Sequence, residues 1–182
     1  QKQTGLTVTL IATTAPAYEN GKMYKLAEQA RAEGREIRPQ AAGRPTGVLH
    51  GLQSSFNAFV GHPTWRNELA NLDHDALLAR LAEPATKAQI LSEQSIIKGG
   101  LMQDLPGLMG QVFPLGENPN YEPLPEESIA GIAKARGLDV MDVMYDMLVA
   151  NGGKELFYQP LGGYQGFSLD YQKKLLEHPN VL

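Results

Sequence analysis

The chain has 182 residues, 16 basic and 20 acidic side chains for a net charge of −4, and no cysteine. Its interspersed charges form no basic stripe, and no apolar run approaches the roughly 20 residues of a membrane span, which argues against nucleic acid and membrane as partners. Without cysteine there is no disulfide and no thiolate metal site, and with no secretory pattern the expectation is a cytoplasmic protein.

The stretch from Leu6 to Arg44 organises the rest. Leu6-Thr7-Val8-Thr9-Leu10-Ile11 is aliphatic or β-branched and uncharged, as suits a strand buried on both faces of a parallel sheet. A helix is predicted next, capped by Asn20, with Met23, Leu26, Ala27 and Ala30 facing inward and Gly34 as a left-handed C-cap. Glu36-Ile37-Arg38 restarts an extended segment, and Pro39 keeps the residue before it out of the helical region. The unit is β-α-β, with a right-handed crossover expected. In parallel α/β folds ligands bind at the C-terminal ends of strands, which singles out Arg38, Gln40 and Arg44 as substrate-binding candidates.

Gly43-Arg44-Pro45-Thr46-Gly47 carries turn chemistry and reads as a loop; Val48 to Val60 is ambiguous. Trp65 opens a short helix through Leu69 and is a core or lid-packing residue. Asp73 caps a helix with Leu77, Leu78 and Leu81 on one face, ending near Glu83. Pro84 starts another, carrying Ile90, Leu91 and Ile97 and stopped by Gly99-Gly100. From Gly99 to Leu124 glycine and proline are dense, yet Leu101, Met102, Leu105, Leu108, Met109, Val112 and Phe113 are too apolar for a free linker; a packed loop is expected. Pro125-Glu126-Glu127 begins a helix with Ile129, Ile132 and Ala133 inward and Gly137 closing it. Asp139 caps the next, whose stripe is Val140, Val143, Met144, Met147 and Leu148, the methionines being core filler; Asn151-Gly152-Gly153 stops it. Leu156-Phe157-Tyr158 is a short strand ended by Pro160, and Ser168 caps a last helix with Leu169, Leu175 and Leu176. Val181 and Leu182 open a further strand, and the expectation is a piece of a longer chain, the alternative being a domain that ends on an edge strand.

The four histidines are His50, His62, His74 and His178. None forms a His-x-His or His-x-x-x-His pair, so there is no local zinc half-site. His74 reads as solvated, and His178 as a helix C-terminal cation. His50 and His62 follow the second strand and are candidates to line a binding site. No nucleophile elbow and no phosphate-binding glycine loop is present, and the carboxylates fall in caps, faces and loops. The residues alone assemble no catalytic set.

Arg38-Pro39-Gln40, Gly43-Arg44-Pro45, Phe56-Asn57, His62-Pro63 and Trp65 stand in an order that resembles the middle of the D-aminoacylase-like amidohydrolases, the N-acyl-D-amino-acid deacylases. Asn118-Pro119-Asn120-Tyr121-Glu122-Pro123, Glu127-Ser128-Ile129-Ala130, Ala135-Arg136-Gly137, Tyr145-Asp146-Met147-Leu148 and His178-Pro179 extend it over most of the chain. The resemblance implies an α/β fold: part of a (β/α)8 metal-dependent hydrolase barrel over residues 1–182, with an inserted loop and helical region at 45–124. It implies hydrolysis of C–N bonds by water activated at zinc or another divalent metal. The metal ligands are then expected outside this chain, and none is assigned to it. The sequence departs from the family where the first strand ends Leu10-Ile11-Ala12-Thr13-Thr14 and the second ends Arg38-Pro39-Gln40: no metal-binding histidine stands at either end. Arg38 either forks onto a substrate carboxylate, with Arg44 in the same role from the loop, or pairs with a structural acid. From a different class, the alternative function is a non-catalytic helical binding module that uses the 99–124 loop.

Overall fold

The computed structural model describes residues 5–11, 22–99 and 105–181. The fold is mixed α/β and divides into two units: Gln1–Gly47 with Pro160–Leu182, and Val48–Gln159. Among the described residues there is no closed barrel, and no helix is long and apolar enough to cross a membrane. Asn20, Gly100, Leu101, Met102 and Leu182, which carried sequence expectations, lie outside the described residues.

The first unit holds the expected β-α-β arrangement. Strand β1 (Val8–Ile11) pairs in parallel with β2 (Ile37–Gln40), Val8 opposite Ile37 and Ile11 opposite Gln40, with helix α1 (Lys22–Ala32) between them in sequence. Gly34 takes the left-handed conformation (φ 72°) that a glycine adopts at no steric cost. The burial differs from the expectation on two counts. Leu6, Val8 and Ile11 are exposed instead of buried on both faces. On α1 the inward stripe is Tyr24, Ala27 and Ala30, and Leu26 points to solvent. Tyr24 packs with Leu175 of helix α7 (Asp170–Leu176), flanked by Met23, Ala41, Tyr171 and Val181. The Ser168 hydroxyl accepts from the Asp170 N–H at 3.1 Å at the start of α7, but Leu176 is exposed, and Val181 donates its N–H to the His178 carbonyl and is not in a strand.

The second unit is mainly helical. A π-helical turn at Trp65–Leu69 begins where expected, and Trp65 is buried. The Asp73 carboxylate accepts from the Ala76 N–H (2.9 Å) to cap helix α2 (His74–Leu81). Pro84 takes the first turn of α3 (Pro84–Ser92), where its missing N–H costs nothing. Helix α3 stops at Ser92, before the Gly99-Gly100 pair, because Glu93 is extended; its carboxylate accepts from the Thr64 N–H (3.0 Å) and hydroxyl (2.5 Å). Ile97 therefore lies beyond the helix, half-buried.

The proline- and glycine-rich stretch is partly ordered. Helix α4 (Leu105–Leu108), a 3₁₀ turn at Met109–Gln111 and strand β4 (Phe113–Pro114) follow one another. Met109, Val112 and Phe113 are buried, as a packed loop requires, whereas residues 116–122 are exposed. Pro125–Glu127 forms a 3₁₀ turn and not the first turn of a helix. Ser128 then caps helix α5 (Ile129–Arg136), accepting from the Gly131 N–H at 3.0 Å, and Gly137 closes it in the left-handed region. The Asp139 carboxylate accepts from the Met141 and Asp142 N–H groups to cap α6 (Val140–Gly153), whose regular helix breaks at Ala150.

Strand β5 (Phe157–Gly162) lies between β3 (Thr46–His50) and β4 in a three-stranded sheet. Two expectations change here. Thr46–His50 is a strand where a loop was predicted over 43–47, and β5 runs through Pro160 instead of ending at it. The antiparallel ladder to β4 covers only Phe157 and Tyr158, so on that side Pro160 removes no donor from a bond.

One core holds this unit together: Phe59, Leu69, Ile90, Met109, Ile129, Met144, Leu148 and Phe157 are each at most 1% exposed. Full burial contributes about 1.5–3 kcal/mol for each such side chain. Phe59 packs edge-on against both Tyr145 and His62, with ring centroids 5.4 Å apart in each case. Lys87 of α3 reaches Asp142 (3.0 Å) and Asp146 (2.7 Å) of α6 and lies over the Tyr145 ring, joining the two helices at their surface.

Candidate functional site

The five sequence candidates fall in both units. Arg38, Gln40 and Arg44 belong to the first; His50 and His62 belong to the second. Gln40 is the last residue of β2 and is exposed, and Arg44 is exposed in the bend that follows. These two stand where the parallel pair ends at its carboxyl side. Arg38 is different. It is the second residue of β2, opposite Thr9, and its guanidinium turns back to the Glu36 carboxylate (Nε 2.7 Å, Nη2 2.5 Å). The Thr7 hydroxyl donates to the same carboxylate at 2.8 Å. The Arg38 hydrogen bond, then that of Thr7, hold the Glu36 carboxyl below the usual carboxylate range.

Of the two roles that the sequence leaves open to Arg38, the pairing with an acid is the one formed. The Arg38 head lies at the start of the strand, beside the α1–β2 connection, because Glu36 two residues earlier captures it. Arg38 lines a depression of about 260 Å3 together with Arg31, Arg35 and Asn180. Arg31 donates to the Asn180 side-chain oxygen, and Arg35 pairs with Glu33. The Arg31, Arg35, Arg38 spacing is visible in the sequence as three arginines around a helix stop, although a strand end singles out only Arg38.

His50 is fully buried in the second unit. Its Nε2 donates to the Gln159 side-chain oxygen at 2.8 Å, which leaves Nδ1 as the lone-pair nitrogen, and Nδ1 is buried with no hydrogen bond. The Phe56 ring meets it edge-on at 4.7 Å. Burial holds the imidazole below its ordinary range, against the opposing effect of the Gln159 bond, so His50 is neutral at pH 7. His62 is also buried, with Nδ1 donating to the Ile90 carbonyl at 3.0 Å. Neither histidine lines the open depression of about 460 Å3 in this unit, which Asn57, Trp65, Arg66 and Asn71 border. His74 donates to the Gly152 carbonyl at 3.1 Å, and His178 contacts Glu28 at 3.2 Å and packs on Tyr24.

Among the described residues no three His, Cys, Asp or Glu side chains come together as a metal site. The described residues thus offer no ligand set for the zinc or other divalent ion that the amidohydrolase resemblance implies, and no chemical step is assigned to a metal on this chain. The arrangement offers cationic and amide groups for binding an anion. No family model, no curated protein and no solved structure matches the chain.

Proposed function

We propose that this chain is part of a metal-dependent amidohydrolase of the D-aminoacylase kind, cytoplasmic, acting on a small molecule such as an N-acyl-D-amino acid. The observation that supports this reading is the parallel β1–α1–β2 unit, the building block of a (β/α)8 barrel, with Gln40 and Arg44 at its carboxyl end. Barrel enzymes place substrate-binding groups at that end of their strands. Arg44 offers a planar fork for a substrate carboxylate, and Gln40 an amide for the acyl oxygen or the carboxylate. In this reading the metal ligands come from outside the described residues, and the share of this chain is to bind and orient.

The test is an assay of the protein that carries this segment against N-acetyl-D-amino acids, before and after chelation and zinc return. Chelator-sensitive C–N hydrolysis is expected, with Arg44→Lys lowering kcat/KM about tenfold or more at unchanged Tm, the loss of a charge-assisted hydrogen bond. Failure of the zinc-loaded protein to hydrolyse any such amide overturns the reading.

A further inference from the structure

Three arginines border one depression where α1 gives way to β2. Arg31 stands in the last turn of α1, Arg35 follows Gly34, and Arg38 lies in β2. They border the depression of about 260 Å3, and Glu36 is the one carboxylate among its lining residues. The acids that meet these arginines are poor competitors for them. Glu33 and Glu36 are side chains 56% and 49% exposed, each close in sequence to its arginine, and exposed pairs of this kind contribute little. Arg31 donates to an amide oxygen, that of Asn180, instead of a carboxylate. The Nε of Arg35 is buried and makes no hydrogen bond. Three arginines around one open depression, with exposed and weakly held partners, favour an anion there.

We propose that this depression binds a phosphoryl group, as free phosphate or as the phosphate end of a small ester or diphosphate. A carboxylate has two oxygens and one charge, which a single fork satisfies. A phosphoryl group presents three acceptor oxygens and close to two charges at neutral pH, and so uses three forks. It takes the place of Glu33 and Glu36 on Arg35 and Arg38 and releases both carboxylates to water. Glu36, held ionised by Arg38 and Thr7, is the residue that opposes the anion. The proposal stands apart from the amidohydrolase reading, since it uses the opposite end of β2 from Gln40 and Arg44.

Calorimetric titration of the intact chain with inorganic phosphate, pyrophosphate and phenyl phosphate tests it, with acetate as the competing anion chemistry. Saturable binding of at least one phosphoryl probe is expected, with acetate at least about tenfold weaker, a difference of about one charge-assisted bond. Preference for inorganic phosphate identifies the free ion as the occupant, and preference for phenyl phosphate or pyrophosphate identifies an ester or diphosphate. Arg35→Gln is expected to weaken binding about tenfold or more. Glu36→Gln tightens it by removing the competitor, and Lys173→Gln on α7 leaves it unchanged. Absence of saturable binding by all three probes, acetate binding as tightly as phosphate, or equal losses in Arg35→Gln and Lys173→Gln overturns the proposal. Unchanged or weaker phosphate binding in Glu36→Gln overturns it as well, whatever the folding of Arg35→Gln.

Discussion

Gly131→Ala sets two rules against each other. Gly131 lies in the first turn of α5, where its N–H donates to the Ser128 hydroxyl at 3.0 Å. Helix propensity alone favours alanine there by up to about 1 kcal/mol. A Cβ on Gly131, however, would sit 2.5 Å from the Pro125 carbonyl oxygen and 2.6 Å from that of Glu126. Both oxygens belong to the backbone of the 3₁₀ turn that folds over the start of α5, and no side-chain rotation relieves the contact. The turn is also tied down, since the Ser128 hydroxyl donates to the Pro125 carbonyl at 2.7 Å and the Leu124 N–H donates to the Glu127 carboxylate at 2.6 Å. Forcing extra volume into a packed place costs about 1–3 kcal/mol, which exceeds the propensity gain. We expect a net loss of about 1–2 kcal/mol, and at about 2–4 °C per kcal/mol for a chain of this length, a Tm lower by about 2–8 °C. The comparison is Gly110→Ala, where an added Cβ meets nothing within 4 Å; its Tm should hold or rise. Thermal unfolding followed by circular dichroism reads both. A rise in Tm for Gly131→Ala would refute the reasoning.

Three further outcomes are expected. Buried His50 stays neutral in the folded protein, whereas the unfolded chain takes up a proton below the ordinary value of 6.5. Stability is therefore complete above that pH and declines as pH falls through it, by up to about 1.4 kcal/mol per pH unit, and His50→Leu should flatten the decline in Tm; an unchanged slope counts against it. Burial, then Asp146, pushes the Tyr145 phenol up to about 12. The unfolded phenol ionises near pH 10 while the folded one keeps its proton, so stability is lost as pH rises between those values. Tyr145→Phe should delete a late-ionising phenol from the alkaline absorbance titration and, by removing the hydroxyl that donates to the Leu81 carbonyl at 2.9 Å, cost about 1 kcal/mol. The same late absorbance in the variant would show that another tyrosine is responsible. Asp139→Ala removes the acceptor for two N–H groups at the start of α6 and should cost about 1 kcal/mol of denaturation free energy; a loss within error would mean that solvent replaces the cap.

What the sequence determined by itself is what residues within one turn of each other decide. Asp73 and Asp139 cap their helices, Pro84 starts one and Gly137 ends one, because each of these acts through a hydrogen bond or a backbone angle no more than a few residues away. The β-α-β unit was legible for the same reason, from strand-forming residues, helical spacing and a glycine stop. Only the tertiary structure decided which faces are covered and which distant groups meet. Tyr24 and not Leu26 is buried on α1 because Leu175 of α7 packs there, and helical spacing accommodates either. The His50–Gln159 bond joins positions 109 residues apart, and no local pattern announces it. Pro160 stays inside β5 because the ladder to β4 ends before it, a fact about the neighbouring strand. Arg38 reads as a strand-end residue until the Glu36 carboxylate, to which Thr7 also donates, is seen to hold it, and until Arg31, Arg35 and Asn180 appear around the same depression. Local bonds are specified by the chain's own order, whereas burial and charge clusters depend on the surfaces that other elements bring.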